Sequence, residues 1–328
     1  MKQLGLSIPL FIKKPKVTRR QKFLEEMEQV ISWAEWTNRI APHYPVAGLG
    51  RKPFELEAML RIHMMQQWFG YSDPGMEEAL HDVPMLREFA GLDAGEDAMP
   101  DETTILKFRH LLEKHHLAQS LFAETTAQLA QQGLLLRQGT IVDATLIAAP
   151  PSTKNRQRKR DGEMSSTKKG SNYYFGLKAH IGVDADSGLV HSLEITTAKV
   201  ADGNMIDALV HGEEAIVLGD RAYTRNDRNL EAQRQPEEPV WGMPFKRKRG
   251  EELPAEHAVL NRMLASLRAK VEHPFRIVKR QFGYTKTRYR GLFKNAQQLY
   301  LLFALANLYH VRKVWSQPRI IPSNTPEN

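Results

Sequence analysis

Glu272 is a single carboxylate in a strongly basic stretch of the chain. Between Asn261 and Lys294 it is the only acidic residue. The same stretch contains ten cationic residues: Arg262, Arg268, Lys270, Arg276, Lys279, Arg280, Lys286, Arg288, Arg290 and Lys294. A surface that only attracts phosphates would be weakened by a carboxylate at its centre, because like charges repel. We therefore expect Glu272 to bind a metal ion. The alternative is a solvated helix face on which Glu272 pairs with an arginine, which adds little stability.

Two aspartates are associated with apolar strand patterns. Asp143 lies inside the run 140–147, and Asp220 follows the run 215–219. A buried carboxylate is costly unless it binds a cation or accepts hydrogen bonds. Strand ends that meet at one edge of a sheet could bring both acids together, with Glu272 on a helix across that edge. Taken alone, each aspartate is better explained as a cap or turn residue.

The three carboxylates together would form a site for hard cations. Oxygen ligands with open coordination positions suit Mg²⁺ or Mn²⁺. Two such ions can activate an attacking oxygen and stabilise the leaving one. We therefore predict that Asp143, Asp220 and Glu272 bind two Mg²⁺ or Mn²⁺ ions and are catalytic.

Cations near Glu272 have helical spacing. Arg268 lies four residues before it, Arg276 four after and Lys279 seven after, so all can share one helix face and bind phosphates. Pro274 disfavours helix at the preceding residue, so the helix can kink or restart there. We predict further contacts with DNA from Arg280, Lys178, Lys246, Arg247 and Lys248. The basic segment 154–170 is expected to be a mobile loop, either binding the DNA backbone or simply solvated.

Composition limits the class of protein. The chain has 328 residues, 41% of them hydrophobic, and carries a net charge of +8, which is concentrated around Glu272. Such a charge distribution suits a polyanion. A membrane partner is not expected, because no long apolar run or signal segment is present. The chain contains no cysteine, which excludes disulfides and thiolate metal sites and fits the cytoplasm, with association to the nucleoid through DNA.

The pattern of apolar residues divides the chain into two parts. Residues 18–132 have helical periodicity, and four to six helices are expected. Such a bundle can contain a helix-turn-helix motif, with Lys107, Arg109, His110 and Lys114 opposite the apolar face, or it can be a plain bundle. We predict a flexible N-terminal arm at 1–22, a helical DNA-binding domain at 23–135, a catalytic domain at 136–310 and a flexible C-terminal tail at 311–328.

The second part has a mixed α/β pattern. Strands are expected at 140–147, 178–183, 190–197, 215–218 and 239–245. Residues 184–188 have a hairpin composition, so the second and third strands should be antiparallel. Helices are expected at 204–212, between the fourth and fifth strands, and at 258–282. We therefore predict an α/β fold, with an RNase H-like mixed sheet flanked by helices and an all-α N-terminal domain.

Several segments resemble one known family. Residues 271–283, 288–292 and 305–308 are similar to the signature around the catalytic glutamate of bacterial insertion-sequence transposases of the DDE, RNase H-like superfamily. The insertion sequence five family is the closest. Residues 142–145 resemble the first aspartate motif of that family, Asp220 with Tyr223 the second, and residues 174–180 the strand between them. Ala265 stands where relatives often have a tyrosine.

The resemblance implies a reaction and a set of partners. The protein would bind the terminal inverted repeats of its own element and hydrolyse a phosphodiester bond at the ends with metal-activated water. The freed 3′-hydroxyl would then attack target DNA. Arg268 and Lys279 would hold backbone phosphates. Pairing of two ends implies a homodimer in the synaptic complex.

Two other functions fit parts of the sequence. His273 and Arg276, followed by Tyr300 or Tyr309, resemble the pattern of tyrosine recombinases, which use no metal. That reading leaves Asp143 and Asp220 without a role. A catalytically inactive DNA-binding regulator of the element is the second alternative.

Overall fold

The computed structural model describes residues 16–48, 52–156, 158–224, 239–247, 250 and 252–315. Within these residues, seven α-helices precede the first strand: α1 (Arg19–Val30), α2 (Trp33–Ile40), α3 (Leu56–Phe69), α4 (Asp73–Asp82), α5 (Pro84–Ala90), α6 (Glu102–Lys114) and α7 (Leu117–Gln131). No helix of the described part combines the length and apolarity needed to cross a bilayer.

Local signals set several helix starts. The side chain of Thr18 accepts a hydrogen bond from the amide of Gln21, and Ser72 accepts one from Gly75. Asp101 caps α6 by accepting from the amide of Thr104 at 2.7 Å. These caps satisfy amides that have no partner within the first turn.

A mixed six-stranded sheet follows, within the described residues. Its strands are β1 (Gly139–Ala148), β2 (Ser165–Lys169), β3 (Asn172–Asp184), β4 (Val190–Thr197), β5 (Ile216–Leu218) and β6 (Val240–Gly242). The order is β2-β3-β1-β5-β6, and β4 also pairs with β3. β1 is antiparallel to β3 and parallel to β5. The predicted fold class is confirmed: a mixed α/β sheet flanked by helices, with a helical N-terminal region, consistent with an RNase H-like fold.

Four helices complete the described chain: α8 (Ile206–Leu209), α9 (Ala255–Arg268), α10 (Glu272–Arg276) and α11 (Leu292–Trp315). α11 packs against α1, α7 and β4. One hydrophobic cluster therefore extends from the N-terminal helices to the sheet, and includes Leu60, Phe122, Ile181 and Leu305. The helical region and the sheet share this core.

Arg109 is buried at the junction of these two parts, not on an exposed basic face as the sequence suggested. Its guanidinium lies 2.8 Å from Glu113 and 3.1 Å from Asp73. It also stacks over the ring of Tyr289, 4.3 Å from the ring centroid. Because these partners come from both parts of the chain, Arg109 joins the helical region to the segment before α11.

Other expectations need correction. Residues 165–169 form β2, within the segment predicted to be a mobile loop. The long helix predicted at 258–282 is divided into α9, the 3₁₀ turn Ala269–Val271, α10 and the π-helical turn Ile277–Gln281. The helix predicted between the fourth and fifth strands falls largely on 225–238, outside the described residues.

The ends of the chain also bear on the predicted boundaries. α1 begins at Arg19, inside the span assigned to an N-terminal arm, and α11 runs to Trp315, inside the span assigned to a C-terminal tail. The remainder of those two spans, residues 1–15 and 316–328, lies outside the described part of the chain.

Candidate active site

Two aspartates lie at the same level of neighbouring strands. In the parallel pair of β1 and β5, Ile141 is opposite Leu218. Asp143 lies two residues after Ile141, still within β1. Asp220 lies two residues after Leu218, just beyond the end of β5. The parallel register therefore brings together two acids that are far apart in sequence.

Backbone amides orient both carboxylates. Asp143 accepts a hydrogen bond of 2.7 Å from the amide of Ala144. Asp220 accepts one of 2.8 Å from Ala222 and so caps the 3₁₀ turn Arg221–Tyr223. Each carboxylate is thus held by its own strand or turn, and retains acceptor capacity for a further partner.

The electrostatic environment of Asp143 is unfavourable for its charge. The pKa of this carboxyl is raised to about 6, mainly by burial and also by the negative charges of Asp220 and Glu272. The hydrogen bond from Ala144 and the charge of Arg268 act in the opposite direction. Asp220, Glu272 and Arg268 are therefore all within electrostatic reach of Asp143. A bound cation would relieve this repulsion.

Glu272 is presented by a restarted helix. The 3₁₀ turn Ala269–Val271 ends α9, and Glu272 is the first residue of α10. Pro274 is tolerated because it lies in the first turn of α10, where its missing amide costs no intrahelical bond. Val271 and Phe275 are buried in the core while Glu272 remains exposed. The helix therefore restarts at Glu272, two residues before Pro274, which places Glu272 at a helix N-terminus.

Cations and Glu272 surround an open cavity of about 770 Å³. It is lined by Thr145, Glu272, His273, Phe275, Arg276, Lys279 and Arg280. Lys279 donates hydrogen bonds to the hydroxyl of Thr145 at 2.6 Å and to the carbonyl of Leu146 at 3.0 Å. Burial and the charge of Lys169 lower the pKa of Lys279, while the charge of Glu272 raises it. The basic side chains are therefore beside the acid and next to β1.

Of the other cations predicted to contact DNA, those that the structure describes do not line the cavity beside Glu272. Lys178 is bonded to Asp202 at 2.8 Å. Arg268, in the last turn of α9, has a buried Nε atom without a hydrogen-bond partner among the described residues. Lys246 and Arg247 are exposed in the segment after β6, and Lys248 lies outside the described residues.

The donor chemistry fits a divalent cation. Across the described chain, no three histidine or acidic side chains converge closely enough to enclose a metal ion. The negative charges of Asp220 and Glu272 nevertheless raise the pKa of Asp143, so both carboxylates act on it. Their hard oxygen atoms can bind a divalent cation without a thiol or imidazole ligand. Asp143, Asp220 and Glu272 therefore supply the type of oxygen donor that Mg²⁺ and Mn²⁺ prefer.

Sequence reasoning did not single out Asp202. Its carboxylate contacts Lys178, and its charge is felt by Tyr223 close to the acids. An Asp-Gly pair outside a hydrophobic pattern is typical of a turn, so the local sequence gives no sign of this proximity. Thr145 was also missed as a partner of Lys279, although it belongs to the motif around Asp143.

Comparison with known families gives two matches. Residues 135–308, more than half of the chain, match the family described as "Transposase DDE domain". Residues 12–111 match the family described as "Transposase domain (DUF772)". No solved structure matched the chain.

Proposed function

Because the chain belongs to the insertion-sequence transposases with a DDE domain, we propose that it binds the terminal inverted repeats of its own element, hydrolyses the phosphodiester bonds at their ends and joins the freed 3′-hydroxyl to target DNA. The membership implies DNA as the substrate and divalent metals as the usual requirement. Assignment to the insertion sequence five family remains our hypothesis.

The proposal depends mainly on the position of Asp143 and Asp220 at the same level of neighbouring strands, with Glu272 across from them. Burial and mutual repulsion at Asp143 are unfavourable for folding, as expected of groups arranged for catalysis. We propose that these three residues hold two Mg²⁺ or Mn²⁺ ions. When bound, the ions would polarise the scissile phosphate and lower the pKa of the attacking water.

The chain's own cations would hold the substrate. Arg276 and Arg280 are exposed at the cavity that contains Glu272, where guanidinium groups can bind phosphate oxygens in pairs. Lys279, bound to Thr145, is a fixed positive charge at the wall of that cavity. We propose that these residues and Arg268 bind the phosphates that flank the scissile bond. Lys246, Arg247 and Lys248 are proposed to contact DNA farther from it.

The helical region would recognise the ends, and two copies would act together. The shared core fixes this region relative to the sheet, which suits a protein that must hold a specific sequence while cutting beside it. Because a synaptic complex contains two ends, we propose a homodimer in that complex.

A tyrosine recombinase is not supported. The hydroxyl of Tyr300 donates to the carbonyl of Leu193 at 3.1 Å, and Tyr309 packs against Phe23 and Phe282. Neither tyrosine lines the cavity beside Glu272. The family match is to DDE transposases instead.

The direct test combines a DNA end of the element with a target plasmid. A labelled duplex carrying the inverted repeat that flanks the gene is mixed with a supercoiled plasmid, in Mg²⁺ or in EDTA. Wild type and Glu272→Gln are compared. Metal-dependent joining of label to plasmid, absent in the variant, is the expected result. End binding without cleavage would favour an inactive regulator, and joining in EDTA would contradict the metal mechanism.

A further inference from the structure

Lys178 and Asp202 form a largely buried ion pair close to the acidic site. Nζ of Lys178 lies 2.8 Å from Oδ1 of Asp202 and also donates a hydrogen bond of 2.7 Å to the carbonyl of Val200. The two side chains are only 13% and 25% exposed. The charge of Lys178 is therefore neutralised within the protein. Breaking such a pair leaves an uncompensated charge, so the two groups hold their segments together.

His180 does not neutralise the charge of Asp202. It is fully buried, and its Nδ1 atom is 3.7 Å from Oδ1 of Asp202, while Nε2 contacts the hydroxyl of Thr196 at 2.8 Å. Burial lowers the pKa of His180 to about 4, so the imidazole is neutral near pH 7. Lys178 is thus the main counter-charge of Asp202 among the described residues that contact it.

Asp202 belongs to a turn that braces the turn after Asp220. The 3₁₀ turn Asp202–Met205 packs against the 3₁₀ turn Arg221–Tyr223. The two turns approach closely at Gly203, where a Cβ atom would lie 2.6 Å from the carbonyl oxygen of Ala222. The amide of Ala222 in turn holds the carboxylate of Asp220. A shift of the first turn would therefore displace Asp220.

Tyr223 connects these two packed turns with β1. Its ring is buried in a small cluster that includes Val142, the neighbour of Asp143, and Ile206. Its hydroxyl is buried without a hydrogen-bond partner in the described part of the chain. Burial raises the pKa of Tyr223, and the charges of Asp202, Asp143 and Asp220 raise it further. The hydroxyl is therefore within electrostatic reach of all three acids.

We propose that Lys178, Asp202 and Tyr223 form a positioning set that holds the turn after Asp220 against β1, and so keeps Asp143 and Asp220 at one level of the sheet. Lys178 ties β3 to Asp202, the turn of Asp202 braces residues 221–223, and Tyr223 reaches β1 through Val142. These residues act through the carboxylates and touch no DNA. Their effect on catalysis rests on the proposed function, whereas their effect on the Asp220 turn does not.

The first test removes one group of the set at a time. Lys178→Met and Asp202→Asn change little volume, and Tyr223→Leu removes the ring that packs in the cluster with Val142. Three properties of the full chain are measured: Mn²⁺ binding by calorimetry, DNA binding by fluorescence anisotropy in EDTA, and amide hydrogen exchange of residues 216–224. The exposed residues Lys199 and Asp186 provide the matched controls Lys199→Met and Asp186→Asn.

The expected result is weaker metal binding and slower cleavage at the acidic residues, without a loss of DNA affinity. Mn²⁺ binding and DNA cleavage should each weaken by about ten- to a hundredfold, as for groups that orient metal ligands. Hydrogen exchange at 216–224 should become faster, and the controls should behave as wild type. If wild type neither binds Mn²⁺ nor cleaves DNA, the proposed function fails, while hydrogen exchange still tests the positioning set.

A steric variant tests the same contact independently. Gly203→Ala should force the two turns apart, because its Cβ would meet the carbonyl of Ala222. It should therefore give the same faster exchange and weaker Mn²⁺ binding. Gly162→Ala is the control, since a Cβ there meets nothing within 4 Å. Tyr223→Leu and Gly203→Ala keep the ion pair, so they test the proposal even if Lys178→Met does not fold.

Two results would overturn the proposal. If Lys178→Met weakens DNA binding and lowers the slope of log affinity against log salt by about one, Lys178 is a phosphate contact instead. If hydrogen exchange and Mn²⁺ binding stay at wild-type values in Asp202→Asn, Tyr223→Leu and Gly203→Ala, the set has no positioning role.

Discussion

Asp143 and Asp220 occupy one level of two parallel strands, two residues beyond the partners Ile141 and Leu218. Neither carboxylate forms an ion pair that would offset this proximity among the described salt bridges. The charge of Asp220 instead adds to the effect of burial on the pKa of Asp143. The arrangement costs stability in the free protein, which is the usual consequence of preparing a site for a ligand.

Asp143→Asn should stabilise the metal-free fold at neutral pH while abolishing DNA cleavage. Burial and nearby acids raise the pKa of Asp143 to about 6 in the folded protein, whereas an unfolded aspartate titrates near 4. The folded state therefore binds this proton more tightly, and the contribution of Asp143 to stability falls as pH rises from about 4 to 6. Above that range the ionised carboxylate costs about 1–3 kcal/mol, which asparagine avoids.

Thermal unfolding in EDTA at neutral pH and near pH 4 measures this effect. The variant should exceed wild type at neutral pH, and the difference should shrink at the acidic value. Asp186→Asn, in an exposed turn, should show no such difference. A variant less stable than wild type at neutral pH would contradict the electrostatic interpretation.

Arg276→Gln and Arg280→Gln should weaken DNA binding in a salt-dependent way. Both arginines are exposed at the cavity that contains Glu272. Each lost phosphate contact should reduce the slope of log affinity against log salt by about 0.9. Fluorescence anisotropy across a salt series provides the measurement, and Lys199→Gln is the control for a general loss of charge. An unchanged slope in the double variant would show that DNA does not lie in this cavity.

Arg109→Met should strongly destabilise the protein. The guanidinium pairs with Glu113 and Asp73 and stacks on Tyr289, at the junction between the helical region and the sheet. Removing it leaves buried carboxylates without their partner, which typically costs about 3–5 kcal/mol. Arg109→Lys should recover only part of this, because lysine cannot bind both acids and stack.

Urea unfolding measures the difference. Arg39→Met is the matched control, because the pair of Arg39 with Glu124 is largely exposed and should contribute far less. Similar losses in both variants would show that burial of Arg109 is energetically unimportant.

The protein should lose stability as the pH falls from about 6.5 to 4, partly through His63. Burial lowers the pKa of His63 in the folded protein to about 4. The unfolded chain, with a histidine pKa near 6.5, therefore takes up the proton first, and acid favours unfolding. The contribution of His63 reaches about 3 kcal/mol at the lower limit.

His63→Asn tests this because asparagine can still donate to Gln66 but does not titrate. Its unfolding free energy should depend less on pH than that of wild type over this range. His110→Asn, at an exposed position, should keep the wild-type dependence. Equal pH dependence in all three proteins would exclude His63 as a source of acid sensitivity.

Local patterns predicted much of the fold. The strand expected at 190–197 is observed as Val190–Thr197, and the hairpin expected between the second and third predicted strands is present between β3 and β4. Alternating apolar residues and turn residues act over a few positions, so they can be read without knowledge of distant partners. β2 was missed because Ser165–Lys169 has no apolar alternation and forms through backbone pairing with β3.

By itself, the sequence determined the chemistry available: three carboxylates, a concentration of positive charge and motifs that resemble those of DDE transposases. Only the tertiary structure decided which groups meet. The strand register brings Asp143 level with Asp220, Asp202 neutralises Lys178, and Arg109 is buried against Tyr289. These contacts join residues far apart in the chain, and periodicity carries no information on register or on the partner of a charge. Folding alone therefore decides which cations remain at the surface and which hold the protein together.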